Sequence, residues 1–65
     1  MPAEIAAFED VHCIRSTVAA ALVVIEGEEF WIPASQIEEE SEVRRDGDEG
    51  TLVIRMWCAR QKGLV

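Results

Sequence analysis

The run from Ala19 to Ile37, AAALVVIEGEEFWIPASQI, constrains the fold of this chain most. Val23, Val24 and Ile25 are β-branched, and an apolar run of about seven residues suits a strand better than a helix. The alanines at its start favour helix instead, so the beginning of the run is ambiguous. Glu26-Gly27-Glu28 follows, and Gly27 takes positive φ without steric cost. Glu29-Phe30-Trp31-Ile32 reads as a second strand, which makes the pair a hairpin. Pro33 has no N–H, so it ends that strand or places it at an edge. Ser35 and Gln36 suit a single helical or 3₁₀ turn that returns Ile37 to the core.

The flanking segments extend this hairpin. Phe8 to Arg15 alternates imperfectly and reads as a strand, with Ser16-Thr17 as the turn that follows. In the strand from Val18 to Ile25, Leu22 and Val24 lie on one face, and Val23 and Ile25 on the other. Two apolar faces predict a central strand or the wall of a small barrel. Glu42-Val43-Arg44 reads as a short charged edge strand. The segment from Arg45 to Gly50 is a turn rich in Gly and Asp, and Thr51 to Ile54 is the last strand. Arg55 to Lys62 then carries good helix formers, with Gly63 placed as a C′ glycine and Leu64 as its apolar contact. Two helical turns are marginal alone. The helix must therefore dock, with Met56 and Trp57 as the expected anchors. The predicted class is α+β: mainly antiparallel β, four to five short strands, one short C-terminal helix. An SH3-like small β-barrel is the alternative. Residues 1–65 form one domain, with 1–7 expected to fray beside Pro2.

Sixty-five residues bury only about 60% of their unfolded surface, with stability on the order of 3–5 kcal/mol. That leaves one thin core and no deep catalytic cleft. No run approaches the ~18 apolar residues that span a bilayer, and the first ten residues lack a basic, apolar leader pattern. The expectation is a cytoplasmic protein with no membrane partner. Cys13 and Cys58 fit no metal spacing and read as small buried hydrophobes.

Charge is uneven. The formal net charge is −7, but ten acids against two bases place −8 between Glu26 and Gly50, leaving +1 for the rest. A chain like this does not seek nucleic acid, whose binders need cations to release counterions. It suits a protein partner with a basic surface. The expected binding residues are Glu38, Glu39, Glu40, Glu42, Asp46, Asp48 and Glu49, with Trp31 as an apolar anchor beside them. The competing reading makes the acids a solubilising surface and both tryptophans core. His12 beside Asp10 could serve as an oriented base, but no convincing nucleophile accompanies it, so no catalytic residue is assigned. Asp46-x-Asp48-x-Gly50 has its glycine at the wrong place for a calcium loop, and no metal or cofactor is expected.

The stretches FWIPASQI (30–37), DEGTLVI (48–54) and WCARQKGL (57–64) resemble a group of very short phage and prophage proteins with a W-I-P-x-S-Q-I core and a W-x-A-x-x-K-G-L end. The likeness covers most of the chain from Phe8 onward and carries no chemistry, so no catalytic residue transfers. It implies a mobile-element accessory protein. Small acidic phage proteins of this kind include anti-CRISPR inhibitors, several of which occupy basic nucleic-acid channels. The expected function is inhibition of a host nucleic-acid-binding complex, such as a CRISPR effector, by occupying its basic surface. The alternative is a phage scaffold or assembly adaptor acting through an apolar face or as a homodimer.

Overall fold

The structure, a computed structural model, describes residues 4–65. Four strands form one antiparallel sheet: β1 (Ile5–Ser16), β2 (Ala20–Ile25), β3 (Glu28–Pro33) and β4 (Glu49–Arg55), in the order β3-β2-β1-β4. A 3₁₀ turn (Ala34–Gln36) follows β3, and one helix, α1 (Met56–Gln61), follows β4. This is the mainly antiparallel α+β arrangement that the sequence predicts.

The central hairpin forms as its residues dictate. Glu26 and Gly27 both take positive φ, +51° and +82°, in the mirror-image turn that matches the strand twist. Ala21, Val23 and Ile25 are buried, while Ala20, Leu22 and Val24 are partly covered on the opposite face. Ala34 N–H donates to the Ala19 carbonyl (2.8 Å), which ties the 3₁₀ turn to the start of β2.

Strand β1 joins the two halves of the sheet. Its N-terminal half pairs with β4 and its C-terminal half with β2. The register shifts between Phe8 and Val11, where Asp10 adopts φ +57°, and again between Cys13 and Arg15. Such bulges bend a strand and re-aim its side chains. The expectation that residues 1–7 fray is corrected for 5–7: Ile5, Ala6 and Ala7 pair with Arg55, Ile54 and Val53, and Ala6 is buried. Residues 1–3 lie outside the described residues.

A second correction concerns 42–44, which form no strand. The segment from Ile37 to Glu42 instead follows the outer edge of β4 irregularly. Ile37 bridges Ile54, Glu38 N–H donates to the Val53 carbonyl (2.9 Å), and Glu42 N–H donates to the Thr51 carbonyl (2.9 Å). Side chains accept the remaining edge donors: Val53 N–H donates to Ser41 Oγ (3.1 Å) and Thr51 N–H to Glu42 Oε1 (2.8 Å). An edge that would otherwise template another strand is thereby covered. Val43 seats in the core beneath this segment, fully buried.

Helix α1 ends as predicted. Gly63, at φ +76°, donates N–H to the Arg60 carbonyl (3.1 Å), and Leu64 N–H to the Ala59 carbonyl (2.8 Å), the Schellman pair. Of the two expected anchors, Met56 packs against the core and Trp57 does not. Cys58 and Ala59 are buried, Met56 is partly covered, and Trp57 is 52% exposed. The helix starts directly after β4, which turns the small side chains toward the sheet and lets the backbones approach closely.

Cys13 and Cys58 are free and buried. Burial pushes both thiols above their ordinary value, and for Cys13 nearby Asp46 and Asp48 add to it. A thiol reagent at pH 8 is expected to label the native chain at least about a hundredfold more slowly than the chain in guanidinium, since reaction needs opening of the core. Rapid labelling of either cysteine in the native state would contradict the burial of that thiol.

Candidate functional site: a divided acidic surface

The acids named from the sequence fall into two groups. The first is bound into the fold. Asp48 Oδ2 accepts from the N–H groups of Arg44 (3.0 Å) and Arg45 (2.9 Å), and these bonds hold its carboxyl below the usual range. Glu42 accepts from Thr51, as above. Glu38 Oε2 lies 3.4 Å from Arg55 Nε, and Glu49 Oε2 lies 3.5 Å from His12 Nδ1. These four carboxylates shape the 37–49 segment or engage a neighbouring base.

The second group is open. Glu39, Glu40 and Asp46 are exposed, and among the described residues their carboxylates have no hydrogen-bond or ion-pair partner. Glu39 and Glu40 project from the stretch whose ends, Glu38 and Glu42, are tied to β4. Asp46 sits on the turn that closes against β1, where Gly47 N–H donates to the Cys13 carbonyl and Asp46 N–H to Ser16 Oγ.

Trp31 lies on the outer face of the sheet, 44% exposed. Its cross-strand partner is Leu22, which in turn faces Arg15. The neighbouring row across all four strands reads Glu29, Val24, His12, Glu49. Trp31 is therefore rimmed by Glu29 and by Arg15, two strands away, and not by the 38–42 segment. The reading that makes both tryptophans core fails, because strand alternation sends Phe30 inward and Trp31 outward.

A further acidic group was not legible as a unit. The bulge at Asp10 and the hairpin turn bring Glu9 together with Glu26 and Glu28 around a groove of about 320 Å³ floored by Phe8, Ile25, Phe30 and Leu64. The β1 bulge that creates this juxtaposition has no marker in the sequence beyond the broken alternation of 8–15.

His12 accompanies Glu49 rather than Asp10, because the bulge ends the regular alternation between Phe8 and Val11. No described Ser, Thr or Cys side chain hydrogen-bonds to it. No group of three His, Cys, Asp or Glu among the described residues is arranged to hold a metal ion, and no described helix is long and apolar enough to cross a membrane. Comparison with known protein families, curated proteins and solved structures finds no match.

Proposed function

We propose that this chain is a non-catalytic binding protein of phage or prophage origin that acts in the host cytoplasm by occupying a basic surface of a nucleic-acid-binding complex. A CRISPR effector, whose nucleic-acid channel is basic, is a target of that kind. The observation that supports this reading is the open state of Glu39, Glu40 and Asp46 in a chain of net charge −7. Among the described residues no basic side chain pairs with them: Arg55 meets Glu38, Arg60 meets Glu4, Arg44 donates to the Ser41 and Glu38 carbonyls, and none lies within 4 Å of the Glu39, Glu40 or Asp46 carboxylate. An exposed field of one sign steers a basic partner into contact and sets its orientation.

The test is capture of host proteins on the tagged chain at low and at moderate salt, followed by mass spectrometry. A discrete nucleic-acid-binding complex whose retention falls as salt rises is the expected result. The triple reversal E39K/E40K/D46K should weaken that capture at least about tenfold while the fold persists, since none of these side chains bonds within it. Salt-insensitive binding, or full retention by the triple variant, would overturn the proposal.

The exposed Trp31 and Trp57 favour a second reading, a scaffold or assembly adaptor that acts through an apolar face or as a homodimer. On that reading the charge reversals are silent, W31S or W57S destroys activity, and sedimentation velocity shows a dimer.

A further inference from the structure

Strand β3 ends the sheet, and among the described residues nothing hydrogen-bonds its outer edge between Glu28 and Ile32. This contrasts with β4, whose outer edge is covered from Ile37 to Glu42. The phase of the β2–β3 ladder says which backbone groups are open. Ile25 and Glu28 close a two-residue hairpin and so exchange both bonds, as do alternate pairs beyond them. The Ala34 N–H to Ala19 carbonyl bond at the far end keeps that phase. The N–H and C=O groups of Glu29 and Trp31 therefore point away from the sheet.

Beside this edge, on its core-facing side, lies the groove floored by Phe8, Ile25, Phe30 and Leu64 and rimmed by Glu9 and Glu28. We propose that β3 accepts an extended segment of a partner protein as an added strand, with one apolar side chain seated in this groove, lysine or arginine side chains one position away facing Glu29 on the outer face, and others two positions away facing Glu28 and Glu9 on the groove side. The edge supplies four backbone groups, the groove selects the side chain opposite Phe30, and the acidic rim sets the sign of its neighbours. A second copy of this chain is a poorer occupant: both copies carry a net charge of −7, and antiparallel β3–β3 pairing about Phe30 sets Glu29 against Trp31 and Glu28 against Ile32, so no cation meets the acidic rim. The inference rests on the proposed function only for the positive charge of the partner.

The probes are two blocked heptapeptides with a central valine, one carrying lysine and the other glutamate at the remaining positions. The readout is amide hydrogen exchange together with ¹⁵N–¹H shifts on the intact chain. At millimolar lysine peptide, exchange at Glu29 and Trp31 should slow at least tenfold, and the glutamate peptide should leave both unchanged. Glu29→Pro removes an outward donor at an edge position where proline is tolerated, and it should abolish the protection at Trp31. Glu29→Gln keeps that donor and should retain most of the effect. If Glu29→Pro does not fold, E28K/E29K changes only exposed side chains and should reduce affinity for the lysine peptide at least tenfold. Shifts confined to Glu39, Glu40 and Asp46, with Glu29 and Trp31 unprotected, would overturn edge docking and leave the basic-partner reading standing. Equal protection by both peptides would overturn the proposed occupant and count against the basic-partner reading. Protection of the same amides without peptide, rising with protein concentration, would overturn it in favour of a self-paired edge.

Discussion

Ile54→Ala is expected to leave most of the chain unfolded at 25 °C. Ile54 is fully buried, and three segments meet on it: it pairs with Ala6 of β1, bridges Ile37 after the 3₁₀ turn, and sits within β4. Truncating a buried isoleucine to alanine costs about 2–5 kcal/mol, because the lost transfer energy is joined by a cavity that the surroundings fill only partly. A domain of this size has on the order of 3–5 kcal/mol in total. The core here is one layer of side chains between the sheet, the 37–43 segment and α1, so little can collapse into the void. Far-ultraviolet circular dichroism through a urea titration is the measurement. The variant should show no folded baseline, or a midpoint shifted down by most of the wild-type value. Ile54→Val should cost only about 0.5–1.5 kcal/mol and keep a cooperative transition. A wild-type midpoint for Ile54→Ala would mean that this crossing of segments is not the centre of the core.

Where the chain's local chemistry is decisive, the sequence is a sufficient guide. The Glu26-Gly27 turn, the inward Val23 and Ile25, the stop at Pro33 and the Gly63-Leu64 helix end each follow from residues within a few positions of one another. The misreadings share a cause: the partner lies far along the chain. Ile5–Ala7 form a strand because Val53–Arg55 wait beside them, although Pro2 and the alanines give no local push toward β. Val43 is core although flanked by charge, because the edge of β4 needs the backbone around it. Ser41 is buried because its hydroxyl bonds Val53 N–H and the Val43 carbonyl, a role that a polar residue in an acidic run does not advertise. Trp57 is the larger anchor by size, but the start of α1 directly after β4 decides which face of the helix meets the sheet. The site divides for the same reason. Seven acids look equivalent as letters, yet Thr51 N–H, Arg55, His12 and the 44–45 amides engage four of them. Which carboxylates stay open to solvent is settled only once those distant groups are in place.

Gly50→Ala is expected to separate a positioned acidic surface from mere acidity, because it leaves every charge in place and disturbs the backbone that holds them. Gly50 sits at φ +138°, where an L side chain is strained. A Cβ there would lie 2.6 Å from Glu42 Oε1 and 3.3 Å from Glu42 Cβ. That carboxylate oxygen accepts from Thr51 N–H, and Glu42 N–H donates back to the Thr51 carbonyl, so moving Glu42 loosens the C-terminal tie of the 38–42 stretch to β4 and leaves the bonds of Glu38 and Ser41 to Val53. The backbone strain alone is worth about 1–3 kcal/mol, and the total should reach about 2–3 kcal/mol once the Glu42 contact is disturbed. A double-mutant cycle apportions it. In an E42A background Gly50→Ala should cost less by at least about 0.5 kcal/mol, because the 2.6 Å clash with Oε1 is gone and only the backbone part and the 3.3 Å contact with Cβ remain. Equal costs in both backgrounds would assign the whole effect to φ and that Cβ contact. The variant then tests the proposed function at constant net charge. If a basic partner reads the placement of Glu39 and Glu40, folded Gly50→Ala protein should bind it several-fold more weakly at a temperature well below its unfolding transition. If affinity follows net charge alone, Gly50→Ala should bind like the wild type, and only the charge reversals should matter.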